Sequence, residues 1–300
     1  MFDKILVATD LSKASDRVLA CTRGLIPLGA KTAILVHALG IKYLEQMQHG
    51  MAYFIEPYLK KQKELLEADG FQVISELALG PAVVEVNRIA KEQGASLVVV
   101  GSHGATLARE MLLGGTAMGI VSHASLPVLL IRLKITEDGG EARCEAMCGD
   151  FREQVLYCTD FSETAERALP YVERIIESGG KRVTLLHVQD RTRIEKHLAH
   201  RLEEFNEVDR RRLESLRRRL EERGATEVRI EIPYGSPTQE IVREAHESGC
   251  HLIVMGSQGR GFLAEMFLGS VAHQVIRRAP APVLLVPPPG KKESSGTSAK

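Results

Sequence analysis

Glycines, one hydroxyl and one arginine at fixed spacing carry the clearest chemistry in this chain. From Leu252 the sequence reads LIVMGSQGRGFLAEMFLGSVAHQVIRRAPAPVLLVP. Gly256 ends a short apolar run, Gly259 follows after two residues, and Gly269-Ser270 follows after nine more. Glycine lets backbone N–H groups approach an anion closely, and a helix beginning at Ser270 would point its positive end the same way. That suits gripping a phosphate. No lysine, second carboxylate or metal-ligand cluster can be placed beside it to supply phosphoryl-transfer rates. The spacing is neither that of a Walker loop nor that of the G-x-G-x-x-G dinucleotide fingerprint.

The same stretch occurs earlier. From Leu97 the chain reads LVVVGSHGATLAREMLLGGTAMGIVSHASLPVLLIRL, with Gly101, Gly104 and Gly114 matching Gly256, Gly259 and Gly269 at one constant offset, and Pro127 matching Pro282. This is an internal duplication. The copies differ at one chemical position, where Gly115 stands in place of Ser270. The backbone donor survives there and the hydroxyl is lost. One hydrogen bond to a charged group corresponds to about 1.5–3 kcal/mol, so the second copy is expected to bind more firmly.

These loops need elements to hold them. Lys4–Thr9 reads as a strand ending at Asp10, and Ser12 as the N-cap of a helix with Ala14, Val18, Cys21 and Leu25 on one face. Thr32–His37 is a second strand. Residues 43–69 read as a helix with Met47, Met51, Phe54, Tyr58, Leu65 and Leu66 inside, kinked or interrupted at Pro57. Phe71–Leu77 alternates as a strand, Val83–Ile89 follows a Gly80-Pro81 turn as a helix, Ala95–Val100 feeds the glycine turn, and Val128–Ile131 is the fifth strand. The pattern restarts with Val155–Asp160, a helix capped by Ser162, a strand Val183–Val188, and a long helical pattern over Arg191–Arg223 with Leu198, Leu202, Phe205, Leu213, Leu216 and Leu220 on one side. A strand through Val228, Ile230 and Ile232 and a helix through Ile241 and Ala245 complete it. Each half is therefore βαβαβαβαβ, which gives a parallel sheet with helices on both faces. Ligands in such a sheet sit beyond the carboxyl ends of the strands. Asp160, His187-Val188 and Gly256 all fall at such ends. His37 and His187 serve equally well as satisfied structural histidines.

Bulk properties narrow the classes. The chain has 300 residues, 44% hydrophobic and 26% charged, which suits two globular domains. The expected division is residues 1–135, a linker at 136–150, residues 151–289, and a small polar tail at 290–300. Net charge is zero and no apolar run approaches a membrane span, so neither nucleic acid nor membrane is an expected partner. Arg191–Arg223 holds 11 basic and 8 acidic residues, a mixture that reads as a solvated, salt-bridged face. The N-terminus runs straight into a strand, and the cysteines, odd in number, read as free thiols with Cys144 and Cys148 in the linker. Both point to a cytoplasmic protein.

The set G-x2-G-x9-G-[ST], together with the first strand ending in TD, the LLHV strand and the PVLLV strand, resembles the universal stress protein family in two tandem copies. The resemblance implies α/β domains of five parallel strands in order 3-2-1-4-5, binding ATP or AMP with Mg or Mn carried through the phosphates. On matching positions it implies that Thr159 and Asp160 meet the nucleoside and Val188 lies against adenine. Met255 and Gly256 would line the ribose, while Gly259, Gly269, Ser270 and Val271 would face phosphate, with Arg260 able to add a charge-assisted contact. In the first copy, Asp10, Ala38, Gly101, Gly104, Gly114 and Gly115 take these places. A nucleotide-responsive stress or regulatory factor is the leading expectation; a slow ATP hydrolase and a nucleotide-free interaction module are the alternatives. The apolar last strand of each half is an exposed edge unless covered. The two halves are expected to pair there as an intramolecular pseudo-dimer, with a homodimer beyond it as a further option.

Overall fold

The computed structural model describes residues 1–40, 51–102, 113–138, 141–195, 199–260 and 268–289. In the first half, β1 (Lys4–Thr9), β2 (Thr32–Leu39), β3 (Gln72–Leu79), β4 (Leu97–Gly101) and β5 (Val128–Ile131) alternate with α1 (Lys13–Thr22), α2 (Met51–Ala68), α3 (Ala82–Glu92) and α4 (Gly115–His123). A hairpin follows, β6 (Leu133–Asp138) with β7 (Glu141–Ala146). The second half repeats the order with β8 (Gln154–Cys158), α5 (Glu163–Glu177), β9 (Arg182–Leu186) and a short bridge strand β10 (Gln189–Asp190). Then come α6 (Arg191–Ile194), α7 (Leu202–Glu221), β11 (Glu227–Glu231), β12 (Tyr234–Gly235), α8 (Pro237–Glu247), β13 (Leu252–Gly256), α9 (Ser270–Arg278) and β14 (Val283–Val286).

One 10-stranded sheet runs β11-β9-β8-β13-β14-β5-β4-β1-β2-β3. Within each half every pairing is parallel and the order is the expected 3-2-1-4-5. The halves meet edge to edge. β14 pairs antiparallel with β5, with Val283 opposite Leu130, Leu284 opposite Leu129 and Leu285 opposite Val128. The continuous apolar strands VLLI and VLLV are thereby covered at their edges as well as on both faces, which removes the hazard an open apolar edge presents.

The halves share their core as well as their sheet. The apolar layer on one face joins Phe2, Leu25 and Leu28 of the first half to Val172 and Ile175 of the second. The Phe2 and Tyr171 rings meet edge to face at 5.7 Å, and Arg174 Nε donates to the Leu28 carbonyl at 3.2 Å. Arg132, buried at the seam, donates from Nη1 to the Ile276 carbonyl in the last turn of α9 at 3.3 Å, where the helix end favours a cation.

Three sequence expectations need correction. Cys21 and Cys148 are bonded as a disulfide with Cα atoms 5.8 Å apart; they are not free thiols. Their sequence separation of 127 hides the pairing: Cys148 follows a hairpin that returns to α1, and only that fold places the two within bridging distance. One support for a cytoplasmic placement goes with it. The segment read as a linker at 136–150 carries strands: most of it lies in β6 and β7, with Ile135 opposite Cys144 and Thr136 opposite Arg143. Finally, α2 runs unbroken through Pro57; it buries Leu66 as expected but turns Phe54, Tyr58 and Leu65 outward, with Leu59 and Gln62 buried in their place. Met47 and Leu198 lie outside the described residues. Among the described residues no helix is long and apolar enough to cross a membrane.

Candidate functional site

Three segments distant in sequence converge at the carboxyl ends of β8 and β13. The first is Thr159-Asp160-Phe161-Ser162. Phe161 has φ 57, a left-handed conformation uncommon for a bulky residue, and its counterpart Leu11 has φ 63. The turn is held by its own polar side chains: the Phe161 N–H donates to Thr159 Oγ1 at 3.0 Å and the Ser162 N–H to Asp160 Oδ1 at 3.1 Å. Ser162 then caps α5, as expected, accepting from the Ala165 N–H.

The second segment is the glycine turn. The Arg260 N–H donates to Asp160 Oδ2 at 2.9 Å, and Thr164 Oγ1 donates to the Gln258 carbonyl at 2.5 Å. A methyl group on Gly259 would stand 2.6 Å from Asp160 Oδ2, and one on Gly256 would stand 2.9 Å from the Ala165 nitrogen. The glycines are therefore required by close approach of the strand-one turn and the start of α5. Gly269 closes the loop, its N–H donating to the Ser257 carbonyl at 2.8 Å. Gly269 is also the N-cap of α9 and no side chain caps that helix, so its leading N–H groups remain directed at the loop. Ser257 Oγ is buried without a partner. Its first-half counterpart, Ser102, accepts from the Leu133 N–H at 3.0 Å, but Pro288 occupies the matching place in the second half and has no N–H to give.

The third segment comes from β9 and α7. His187 is 5% exposed, with Nδ1 at 2.8 Å from the Thr159 carbonyl and Nε2 at 3.3 Å from Asp209 Oδ2. Gln189 Nε2 donates to Asp209 Oδ2 at 2.9 Å, and Arg212 Nη1 lies 3.4 Å from Asp209 Oδ1. Burial pushes the His187 imidazole below its ordinary value, against the Thr159 carbonyl and Asp209, which favour the charged ring. The Phe161 ring lies 4.8 Å from the His187 ring, with the Arg212 and Arg260 guanidinium groups at 5.1 and 5.7 Å from its centre.

Thr159, Asp160, Gly256, Gly259, Arg260 and Gly269 are thus brought together. Ser270 and Val271 open α9 directly behind the loop. Met255 is buried beside Cys158 in the β13–β8 ladder, and Val188 is partly buried just past β9. In the first half Asp10 accepts from the Ser12 and Ser15 hydroxyls, and Ala38 is held within the β2–β3 ladder opposite Ala78. Gly101 ends β4, and Gly114 and Gly115 open α4, again without a side-chain cap. Gly104 lies outside the described residues. Sequence reading missed Thr164, Phe161, Asp209 and Arg212. A signal existed for Asp209: it stands on the helical spacing of the apolar stripe Leu213, Leu216 and Leu220, a place where a carboxylate should be buried.

Each half is a doubly wound α/β domain whose last helix starts behind a glycine turn without a side-chain cap. Residues 1–132 and 152–287 each match the model of the Universal stress protein family. The chain belongs to that family, with two tandem domains. A universal stress protein of Methanocaldococcus jannaschii is 37% identical over 153 residues, covering 45% of this chain and 94% of that protein. A universal stress protein of Bacillus subtilis is 33% identical over 144 residues, 44% of this chain and 97% of that protein. The crystal structure of a universal stress protein from Archaeoglobus fulgidus superposes with a TM-score of 0.71 at 26% identity, covering 95% of this chain and 98% of that one. The tandem arrangement as a whole therefore has a solved counterpart.

Proposed function

We propose that the second half binds an adenine nucleotide, ATP or AMP, and that the protein acts as a nucleotide-responsive regulatory or stress factor. The observation that carries this reading is the Asp160 carboxylate holding the Arg260 N–H at 2.9 Å, which sets the glycine turn across the strand end in front of the uncapped start of α9. Gly256 and Gly259 let the glycine turn pack against Thr164, Ala165 and Asp160, where any Cβ would collide. Phosphate oxygens would take the N–H groups of Ser270 and Val271 and the Ser270 hydroxyl beside Gly269, with the Arg260 guanidinium at the rim. Mg or Mn would ride on the phosphates: among the described residues no group of three His, Cys, Asp or Glu side chains could hold a metal. Thr159 and Asp160 would face the nucleoside, and Val188 the adenine. The first half keeps the backbone donor of Gly115 beside Gly114 and lacks the hydroxyl, so its site is the weaker one.

Native mass spectrometry of the full chain with ATP and magnesium tests the reading. The expected result is a firmly held first equivalent and a weaker second. Gly259→Val should remove the firm equivalent and leave the weak one. Unchanged stoichiometry in that variant would overturn the placement of the site.

A further inference from the structure

Both ring nitrogens of His187 face acceptors. Nδ1 meets the Thr159 carbonyl at 2.8 Å, and Nε2 meets the Asp209 carboxylate at 3.3 Å. A neutral imidazole carries one proton and can satisfy only one of them. The second contact then sets a lone pair against an oxygen, in a place almost closed to water. Only the imidazolium satisfies both sides. The charged groups facing the ring explain why the free protein does not simply hold that form. Asp209 from α7 and Asp160 from the turn after β8 favour the cation, while Arg260 from the glycine turn and burial itself oppose it. Arg212, also on α7, lies 3.4 Å from Asp209 Oδ1 and competes for that carboxylate. The Phe161 ring, tilted by 38° with its centroid 4.8 Å away, packs against the imidazole.

We propose that His187 and Asp209 are positioning residues of the second nucleotide site, and that filling the site draws one proton onto His187. The inference rests on the nucleotide reading above. A phosphate chain on the glycine turn lies beside Arg260 and cancels the cationic field that opposes protonation. The imidazolium then donates to both Thr159 and Asp209, fixing the strand end that carries Thr159 and Asp160 to α7. By reciprocity, a ligand that draws in a proton binds more tightly when protons are abundant. Affinity should rise by about tenfold per pH unit on acidification, through the window where uptake is near one proton. The first half lacks the device: His37 Nδ1 faces the Thr9 carbonyl at 2.9 Å, and among the described residues no carboxylate pairs with its other nitrogen.

Calorimetry of the full chain with ATP and magnesium, run at one pH near neutrality in buffers of different ionisation enthalpy, reads proton uptake directly. The expected result is heat that changes with the buffer, to the extent of up to one proton for the firm site. That dependence should be lost in Asp209→Asn and retained in Asp209→Glu. Nitrogen-15 spectra of the histidine rings in the wild-type chain supply a second reading that needs no variant: on adding ATP, His187 should show both nitrogens protonated. Heat that is independent of buffer, with unchanged ring nitrogens, overturns the proton coupling and leaves nucleotide binding standing. Absence of heat overturns both.

Discussion

Asp160 ties together two stretches that lie 100 residues apart, one oxygen on its own turn and the other on the glycine loop. Duplication marked the position, since Asp10 and Asp160 occupy the same place at a strand end, but not the bond to the glycine loop. His187 was harder to read. A histidine at a strand end has no sequence mark that separates a structural ring from a titrating one, and its partner Asp209 lies among arginines on a helix whose charges mostly face solvent. The pair yields a prediction about stability. Burial holds the His187 ring below its ordinary value of 6.5. The unfolded chain therefore binds this proton more readily than the folded one, and the stabilising effect is full above that value and lost as the pH falls below it. Urea unfolding of the ligand-free chain between pH 7.5 and 5 should show stability dropping with acid, with a shallower drop in His187→Gln. Equal slopes in the two proteins would show that the ring takes up its proton as readily in the fold as in the unfolded chain, so that burial does not depress it.

Elements in corresponding places have diverged in ways that composition announces only in part. Helix α7 is paved with ion pairs, Arg217 with Glu214 and Glu221, and Arg219 and Arg223 with Glu173 of α5, as its mixed charges implied. Its counterpart α2 instead exposes Tyr53, Phe54 and Tyr58, at 77%, 70% and 61%. Large aromatics at helical spacing look like a core stripe, and only the packed sheet reveals that Leu59 and Gln62 join Leu66 in that role. Strands were easier to read, because runs such as VLLI and LVVV fit little besides a doubly covered parallel sheet. Helix starts show the most consequential difference between the halves. α4 begins at Gly115, where an added Cβ would meet nothing within 4 Å, so a serine fits without displacing a neighbour. Gly115→Ser should restore the missing hydroxyl and tighten the weaker site by about 1.5–3 kcal/mol, roughly tenfold or more. Native mass spectrometry at graded ATP concentrations would then show two equivalents filling together. Persistence of the weak equivalent would mean that the hydroxyl is not what distinguishes the two sites.

At the scale of the whole molecule, the seam between β5 and β14 makes one sheet of two domains, and the duplication itself implied it: two matching apolar edges on one chain can cover each other. The disulfide had no such signature. Cys21 is buried in α1, Cys148 is exposed after the β6–β7 hairpin, and nothing in their sequence context pairs them. Its effect follows from topology. The bridge closes a loop across a separation of 127 residues that includes nearly all of the first half. Constraining so long a loop in the unfolded chain corresponds to about 4–5 kcal/mol in the chain-entropy model, and removal of native bridges typically costs about 2–5 kcal/mol. It also anchors the connection beside Phe151, whose ring packs at 3.0 Å from where a Cβ on Gly24 would stand, so it reinforces the face on which the halves share their core. Cys148→Ser, or full reduction, should lower the unfolding free energy by about 2–5 kcal/mol and leave nucleotide stoichiometry unchanged, because the bridge lies on α1 and the linker, away from the second half's glycine turn. Thiol counting under denaturing conditions with and without reductant establishes the bond, and urea midpoints of the oxidised, reduced and serine forms give its size. Coincident midpoints in all three would show that the seam holds the halves without the staple.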